Sequence, residues 1–112
     1  MPTRTQISKS GLTQFQIAVL QKLQSVPRGR VTTYQYLARA IGRPRAVRAV
    51  GNALNANPWI ISVPCHRVVR NNGEIGGYAR GAKRKALVLK NEGIMTRQGK
   101  IVDFEKKLYR FG

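Results

Sequence analysis

Proline and glycine cut the first half of this chain into short pieces. Apolar residues recur there at helical spacing, but Pro27 with Gly29, then Gly42 and Pro44, interrupt the pattern before any long helix can form. Thr13, followed by Gln16 three positions on, has the form of a capping box, and Phe15, Val19, Leu20, Leu23 and Val26 continue as one apolar face up to Pro27. Thr32 or Thr33 can cap a second helix bearing Tyr34, Leu37, Ala38 and Ile41, which Gly42 ends. Pro44 suits the first position of a third helix through Leu54. Arg43 then stands where an Asn or Ser cap is expected, which gives up about 1 kcal/mol but adds a basic group.

The second and third pieces, joined by a Gly-containing turn, have the pattern of a helix-turn-helix. In the third piece arginines alternate with small residues. Ala46, Ala49 and Gly51 can bring a helix backbone close to another surface, with Arg45 and Arg48 placed for phosphate or groove contacts. The same small residues would equally let two helices of this chain pack closely. Further on, Trp59-Ile60-Ile61-Ser62-Val63 and Val68-Val69 are short apolar, β-branched runs, and a Gly/Asn-rich loop spans Asn71 to Gly81. Ala82 to Asn91 has the pattern of a basic helix, capped by Gly93 after Glu92. Thr96 to Gly112 is the one segment expected to be loosely held. The expected fold is a small, mostly helical α/β domain over residues 1–112 with its core at about 12–95: a helix-turn-helix, winged-helix-like framework with short strands near Cys65.

Twenty-one Lys and Arg oppose four acids, Glu74, Glu92, Asp103 and Glu105, for a formal net charge of +17. Self-repulsion on that scale is relieved by a polyanion, so a nucleic acid is the expected partner. One cysteine cannot form an internal disulfide, and with one histidine it cannot build a four-ligand metal site; no metal and no cofactor are expected. No apolar run approaches the roughly 20 residues of a membrane span. Met1 to Lys9 lacks the apolar stretch of a signal peptide. The expected setting is intracellular and reducing, in the cytoplasm at the nucleoid or in a nucleus, with the chain a monomer.

The single cysteine and single histidine are neighbours, Cys65 and His66. A base or a positive field turns a thiol into a nucleophile, and His66 with Arg67 offers both. Adjacent side chains in extended backbone point apart, so help from His66 requires a turn, which Pro64 makes available, or a bridging water. A buried, inert cysteine beside a surface histidine is the alternative.

Pro64-Cys65-His66-Arg67-Val68-Val69 resembles the active-site motif of the O6-alkylguanine-DNA alkyltransferases. In the same order, Arg28-Gly29-Arg30-Val31-Thr32-Thr33-Tyr34, Arg45 to Gly51 and Asn57-Pro58 resemble that family's DNA-binding segments. Gly76-Gly77-Tyr78 and Asn91-Glu92-Gly93 resemble its substrate loop and final catalytic acid. The resemblance spans about residues 12–95. It implies a DNA repair protein that ejects a damaged nucleotide from duplex DNA and takes the alkyl group irreversibly onto Cys65, once per molecule. By the same resemblance, His66 draws off the thiol proton through a water, Glu92 holds the imidazole, and Asn57 ties the DNA-binding unit to the cysteine turn. Tyr34 acts on the base or its phosphate, and Arg48 fills the gap in the stack. Arg45, Ala46, Ala49 and Gly51 lie against the DNA, while Val63, Pro64, Val68, Tyr78, Ala79 and Arg80 border the base.

Two departures stand out. About a dozen residues precede the first helix where larger relatives carry another domain, so the catalytic domain alone is expected, and Arg80 replaces a smaller or aromatic pocket residue. Three other functions fit parts of the pattern. A non-reacting lesion-binding relative would lack Cys65. A helix-turn-helix regulator leaves Cys65, His66 and Glu92 without a role. A cysteine hydrolase would need an oxyanion site and a route to turnover.

Overall fold

The computed structural model describes residues 11–58, 63–76 and 81–111. Helix α1 (Gln14–Leu23) starts with the expected capping box: the Gln16 N–H donates to the Thr13 hydroxyl at 3.1 Å, and the Thr13 N–H donates to the Gln16 amide oxygen at 2.9 Å. Its Val19, Leu20 and Leu23 are fully buried. Thr33 rather than Thr32 caps α2 (Tyr34–Ala40), accepting the Tyr36 N–H at 3.0 Å. Gly42, with φ +77°, ends α2 by letting the Arg43 N–H turn back to the Ala38 carbonyl at 2.9 Å.

That closure moves the third helix. Arg43 is already bonded back to α2, and Pro44 serves as the second residue of a β-turn in which the Ala46 N–H donates to the Arg43 carbonyl at 2.9 Å. Helix α3 (Val47–Asn55) therefore starts at Val47 rather than Pro44, with Ala46 as a cap that contributes no side-chain bond. Val50, Ala53 and Leu54 turn inward against α1 and α2.

Two-residue strands join the halves of the chain. β1 (Thr32–Thr33) pairs in parallel with β2 (Val68–Val69), Thr32 opposite Val68 and Thr33 opposite Val69. Successive strand residues face opposite ways, so Val68 enters the core beneath α1–α3 while Val69 enters a second cluster with Val31, Ile75, Leu89 and Ile94. Helix α4 (Ala82–Asn91) has the bounds expected from the sequence. It closes with Gly93 at φ +84° and the Ile94 N–H on the Leu89 carbonyl at 2.9 Å, and Leu89 and Ile94 are both fully buried.

The C-terminal segment is held, contrary to expectation. β3 (Thr96–Arg97) and β4 (Lys100–Ile101) form an antiparallel hairpin, and a short helix α5 (Phe104–Lys107) follows. Val31 donates to the Lys107 carbonyl at 2.9 Å and accepts the Tyr109 N–H at 2.7 Å. Ile101 and Leu108 are buried, and Tyr109 and Phe111 pack on the first core cluster. The bonds to Val31 join residues far apart in the sequence, and so leave no local period in the tail. No helix among the described residues is long and apolar enough to cross a membrane.

Candidate active site

Pro64 has φ −80° and ψ 68°, an inverse γ-turn in which the Cys65 N–H donates to the Val63 carbonyl at 2.8 Å. Cys65, His66 and Arg67 then make one turn of 3-10 helix that runs into β2. The bend that Pro64 was expected to supply is therefore present, and Cys65 and His66 are not splayed as in a strand. Val63 accepts a second bond at the same carbonyl, from the Asn57 side-chain amide at 3.0 Å. Asn57, just past the end of α3, thus fastens that helix to the cysteine turn, and it is itself buried.

His66 has no exposed surface. Its Nε2 lies 3.1 Å from Glu92 Oε2, an ion-pair distance without the alignment of a hydrogen bond. The carboxylate there favours the tautomer protonated at Nε2. Nδ1 is then the basic atom, buried with no hydrogen-bond partner among the described residues. Burial lowers the His66 pKa; nearby Glu92 opposes this without reversing it, so the ring is a neutral base at pH 7.

Glu92 is the C-cap of α4, where the helix dipole disfavours a carboxylate. Two arginines offset this. Arg67 grips Glu92 with both Nε (2.9 Å) and Nη2 (2.6 Å), while Arg28 donates to the Asn91 carbonyl at 2.8 Å, capping the same helix end. Burial by itself would raise the Glu92 pKa, but the bonds from Arg67 and the nearness of His66 outweigh it and hold the carboxyl below its usual range. Arg67 also donates to the Val26 carbonyl at 2.9 Å. The expectation that Arg67 lends its field to Cys65 is thus corrected: its guanidinium is committed to Glu92 and to the turn after α1.

Lys85 takes that place. It is the largest fully buried side chain described, and its Nζ donates to the Val68 carbonyl at 2.7 Å. Burial lowers its pKa to about 8, and the charge of a Cys65 thiolate opposes the shift. Burial likewise pushes the Cys65 thiol up, while a bond from Asn57 and the charge on Lys85 pull it down. Sequence reasoning missed this residue, since one lysine in a basic helix looks like another; the only available signal was its inward phase, one helical turn before Leu89.

Tyr34 begins α2, partly buried against the core. Burial raises its pKa, Arg70 opposes this and Cys65 adds to it, so its hydroxyl lies within electrostatic reach of the thiol. A Cβ on Gly76 would come within 3.3 Å of that hydroxyl. Val63, Pro64 and Val68 are buried around Cys65, whereas Tyr78, Ala79 and Arg80, like Trp59 to Ser62 and Gly77, lie outside the described residues. On α3 and the turn before it, Arg45, Arg48 and Ala49 are exposed or half-buried, as are Ala46 and Gly51. A Cβ on Gly51 would meet nothing within 4 Å, so no part of the described structure uses that close approach. The reading in which the small residues serve internal helix packing is not supported at Gly51.

Fold and site define a small helix-turn-helix domain with a cysteine turn fastened to the end of its second helix. Residues 14–94 match the family described as 6-O-methylguanine DNA methyltransferase, DNA binding domain, and the chain belongs to that family. It is 51% identical over 80 residues to the bifunctional transcriptional activator/DNA repair enzyme Ada of Escherichia coli, covering 71% of this chain and 23% of Ada. It is 50% identical over 86 residues to the methylated-DNA–protein-cysteine methyltransferase of Salmonella typhimurium, covering 77% and 50%. The chain spans about half or less of the length of these curated relatives. Among solved structures, Mycobacterium tuberculosis OGT in complex with DNA superposes with a TM-score of 0.71 at 43% identity, covering 72% of this chain and 50% of that one. S. pombe Atl1 in complex with damaged DNA containing O6-carboxymethylguanine gives 0.77 at 28% identity, covering 88% and 96%.

Proposed function

We propose that this chain repairs O6-alkylguanine in duplex DNA by transferring the alkyl group to Cys65, once per molecule. The observation that carries the reading is the buried Glu92–His66 pair set beside the chain's only cysteine, with a histidine nitrogen left available to take a proton. The Cys65 proton passes to His66 Nδ1 by way of a water, and Glu92 stabilises the imidazolium that forms. Lys85 and Asn57 stabilise the thiolate. The sulfur lone pair attacks the alkyl carbon, an S–C bond forms as the C–O6 bond breaks, and guanine departs with the bonding pair. Guanine takes up a proton from the Tyr34 hydroxyl, and the proton held on His66 returns through water to the tyrosinate, so the net transfer is one proton from thiol to base. The thioether product has no acyl carbon for water to attack, so the reaction does not turn over.

To reach the thiol the nucleotide leaves the stack, at a cost of a few kcal/mol. Arg48 fills the gap, and Ala46, Ala49 and Gly51 lie against the minor groove while Arg45 holds phosphate. Val63, Pro64 and Val68 bound the ejected base, with Tyr78, Ala79 and Arg80 completing its pocket. The domain works as a monomer without metal or cofactor. Intact mass of the protein after mixing with a duplex carrying one O6-methylguanine tests this: one added methyl mapped to Cys65, never two, is expected. An unmodified chain that still binds the lesion duplex tightly would instead make it a lesion-binding protein.

A further inference from the structure

On α2, the Tyr36 ring is approached by two arginines from distant parts of the chain. The guanidinium carbon of Arg39 is 5.9 Å from the ring centroid and that of Arg110 is 5.8 Å. The Arg110 Nε also donates to the Tyr36 hydroxyl at 3.2 Å. A cleft of about 250 Å³ opens here, lined by Thr33, Gln35, Asn71 and these three side chains, with α5 along its edge. Glu105 is the one carboxylate lining it, paired with Arg110 at 2.8 Å, and Arg39 forms no ion pair among the described residues. The exposed Lys106 adds to the excess positive charge on α5.

The cleft adjoins the proposed DNA face. Gln35 donates from one wall to the Pro44 carbonyl at 3.0 Å, and Pro44 belongs to the turn that leads into α3 with Arg45 and Arg48. Tyr34 heads the helix that carries Tyr36 and Arg39. A ligand that serves both surfaces is long and bears regularly spaced negative charge, which describes a nucleic acid backbone better than a free anion. Arg110 lies beyond residues 14–94, the part matched by the family, and reaches Tyr36 only because the tail is pinned to Val31.

We infer that the C-terminal segment supplies a second DNA contact, with Arg110 and Arg39, spaced by Tyr36, forming a phosphate subsite on the flank of the duplex that α3 engages. The inference rests on the duplex-binding reading above and adds to it a contact outside the matched region. Glu105 occupies Arg110 in the free protein and is displaced by phosphate.

The test is fluorescence anisotropy of the full chain with a long undamaged duplex across a salt series. Arg39→Ala/Arg110→Ala should bind about tenfold more weakly, with the slope of log affinity against log salt reduced in magnitude by roughly one to two, one for each phosphate no longer neutralised. Glu105→Gln should bind more tightly than wild type. Tyr36→Phe, which keeps both cations, should retain the wild-type slope. Alkylation of Cys65 by iodoacetamide should proceed at the wild-type rate in all of them, showing an intact core. Wild-type affinity and slope in the double variant, or unchanged binding by Glu105→Gln, would overturn the subsite. A wild-type chain that binds no duplex at any salt would instead overturn the duplex-binding reading itself.

Discussion

Lys85 illustrates how far a single buried charge shapes this site. Bonded to the Val68 carbonyl and within electrostatic reach of Cys65, it favours the thiolate with the positive charge that sequence order suggested would come from Arg67. Lys85→Met removes that charge and keeps most of the volume, so the pH profile of Cys65 alkylation should move to higher pH, with a several-fold slower reaction at pH 7. An unchanged profile would show that Lys85 only supports the Val68 carbonyl. The same residue sets an alkaline signature: with its folded pKa at about 8 against 10.5 unfolded, the unfolded chain holds the proton longer and Lys85 adds stability between those values, opposed above 9.0 by the raised pKa of the Cys65 thiol. His66 sets the acid one. Its folded pKa is lowered from 6.5, so below that pH the unfolded chain takes up a proton that the folded chain refuses, and stability falls. Glu92, whose pKa is also lowered, adds a further loss below its unfolded value of 4.5. Urea melts at pH 5.5, 7 and 9 check both limbs. The neighbouring Cys65 and His66 were legible from order alone. The part played by Lys85 in place of Arg67 was not, because it depends on which way two long side chains turn.

At the scale of elements, capping chemistry was the most readable part of the chain. Thr13 with Gln16, Gly42 and Gly93 each dictate a local hydrogen-bond pattern, and each forms it. Pro44 misled because its fixed φ serves the second position of a β-turn as well as the first turn of a helix, and only the neighbouring closure at Gly42 decides between them. Helix α3 also separates stability from function in a measurable way. Gly51 sits mid-helix with open space around its Cβ direction, so Gly51→Ala should stabilise the fold by about 0.5–1 kcal/mol. The added methyl stands where DNA is proposed to approach, so the same variant should bind duplex more weakly. A variant both more stable and equally tight in binding would remove the close approach from the mechanism. Arg48→Ala should slow the proposed alkyl transfer more in paired than in single-stranded DNA, and equal slowing in the two would argue against insertion into the stack.

For the molecule as a whole, the tail is the element the sequence concealed. Its anchors, Ile101 and Leu108, meet distant partners around Val31, so their spacing follows the surface they cover and not a helix or strand period. Leu108→Ala should cost about 2–5 kcal/mol in chemical denaturation, as expected for a core position and not for a loose end. The clasp between Asn57 and the Val63 carbonyl has a larger consequence. Through Asn57 the end of the helix proposed to hold DNA is bonded to the turn that bears the thiol, so the two cannot settle independently. If Cys65 gains a carbon substituent, the buried turn it shares with Val63 should shift and loosen the clasp with it. An alkylated protein should then carry a readable memory of the proposed reaction, a lower melting temperature and a weakened hold on duplex. Equal melting of the used and unused forms would mean that it keeps none.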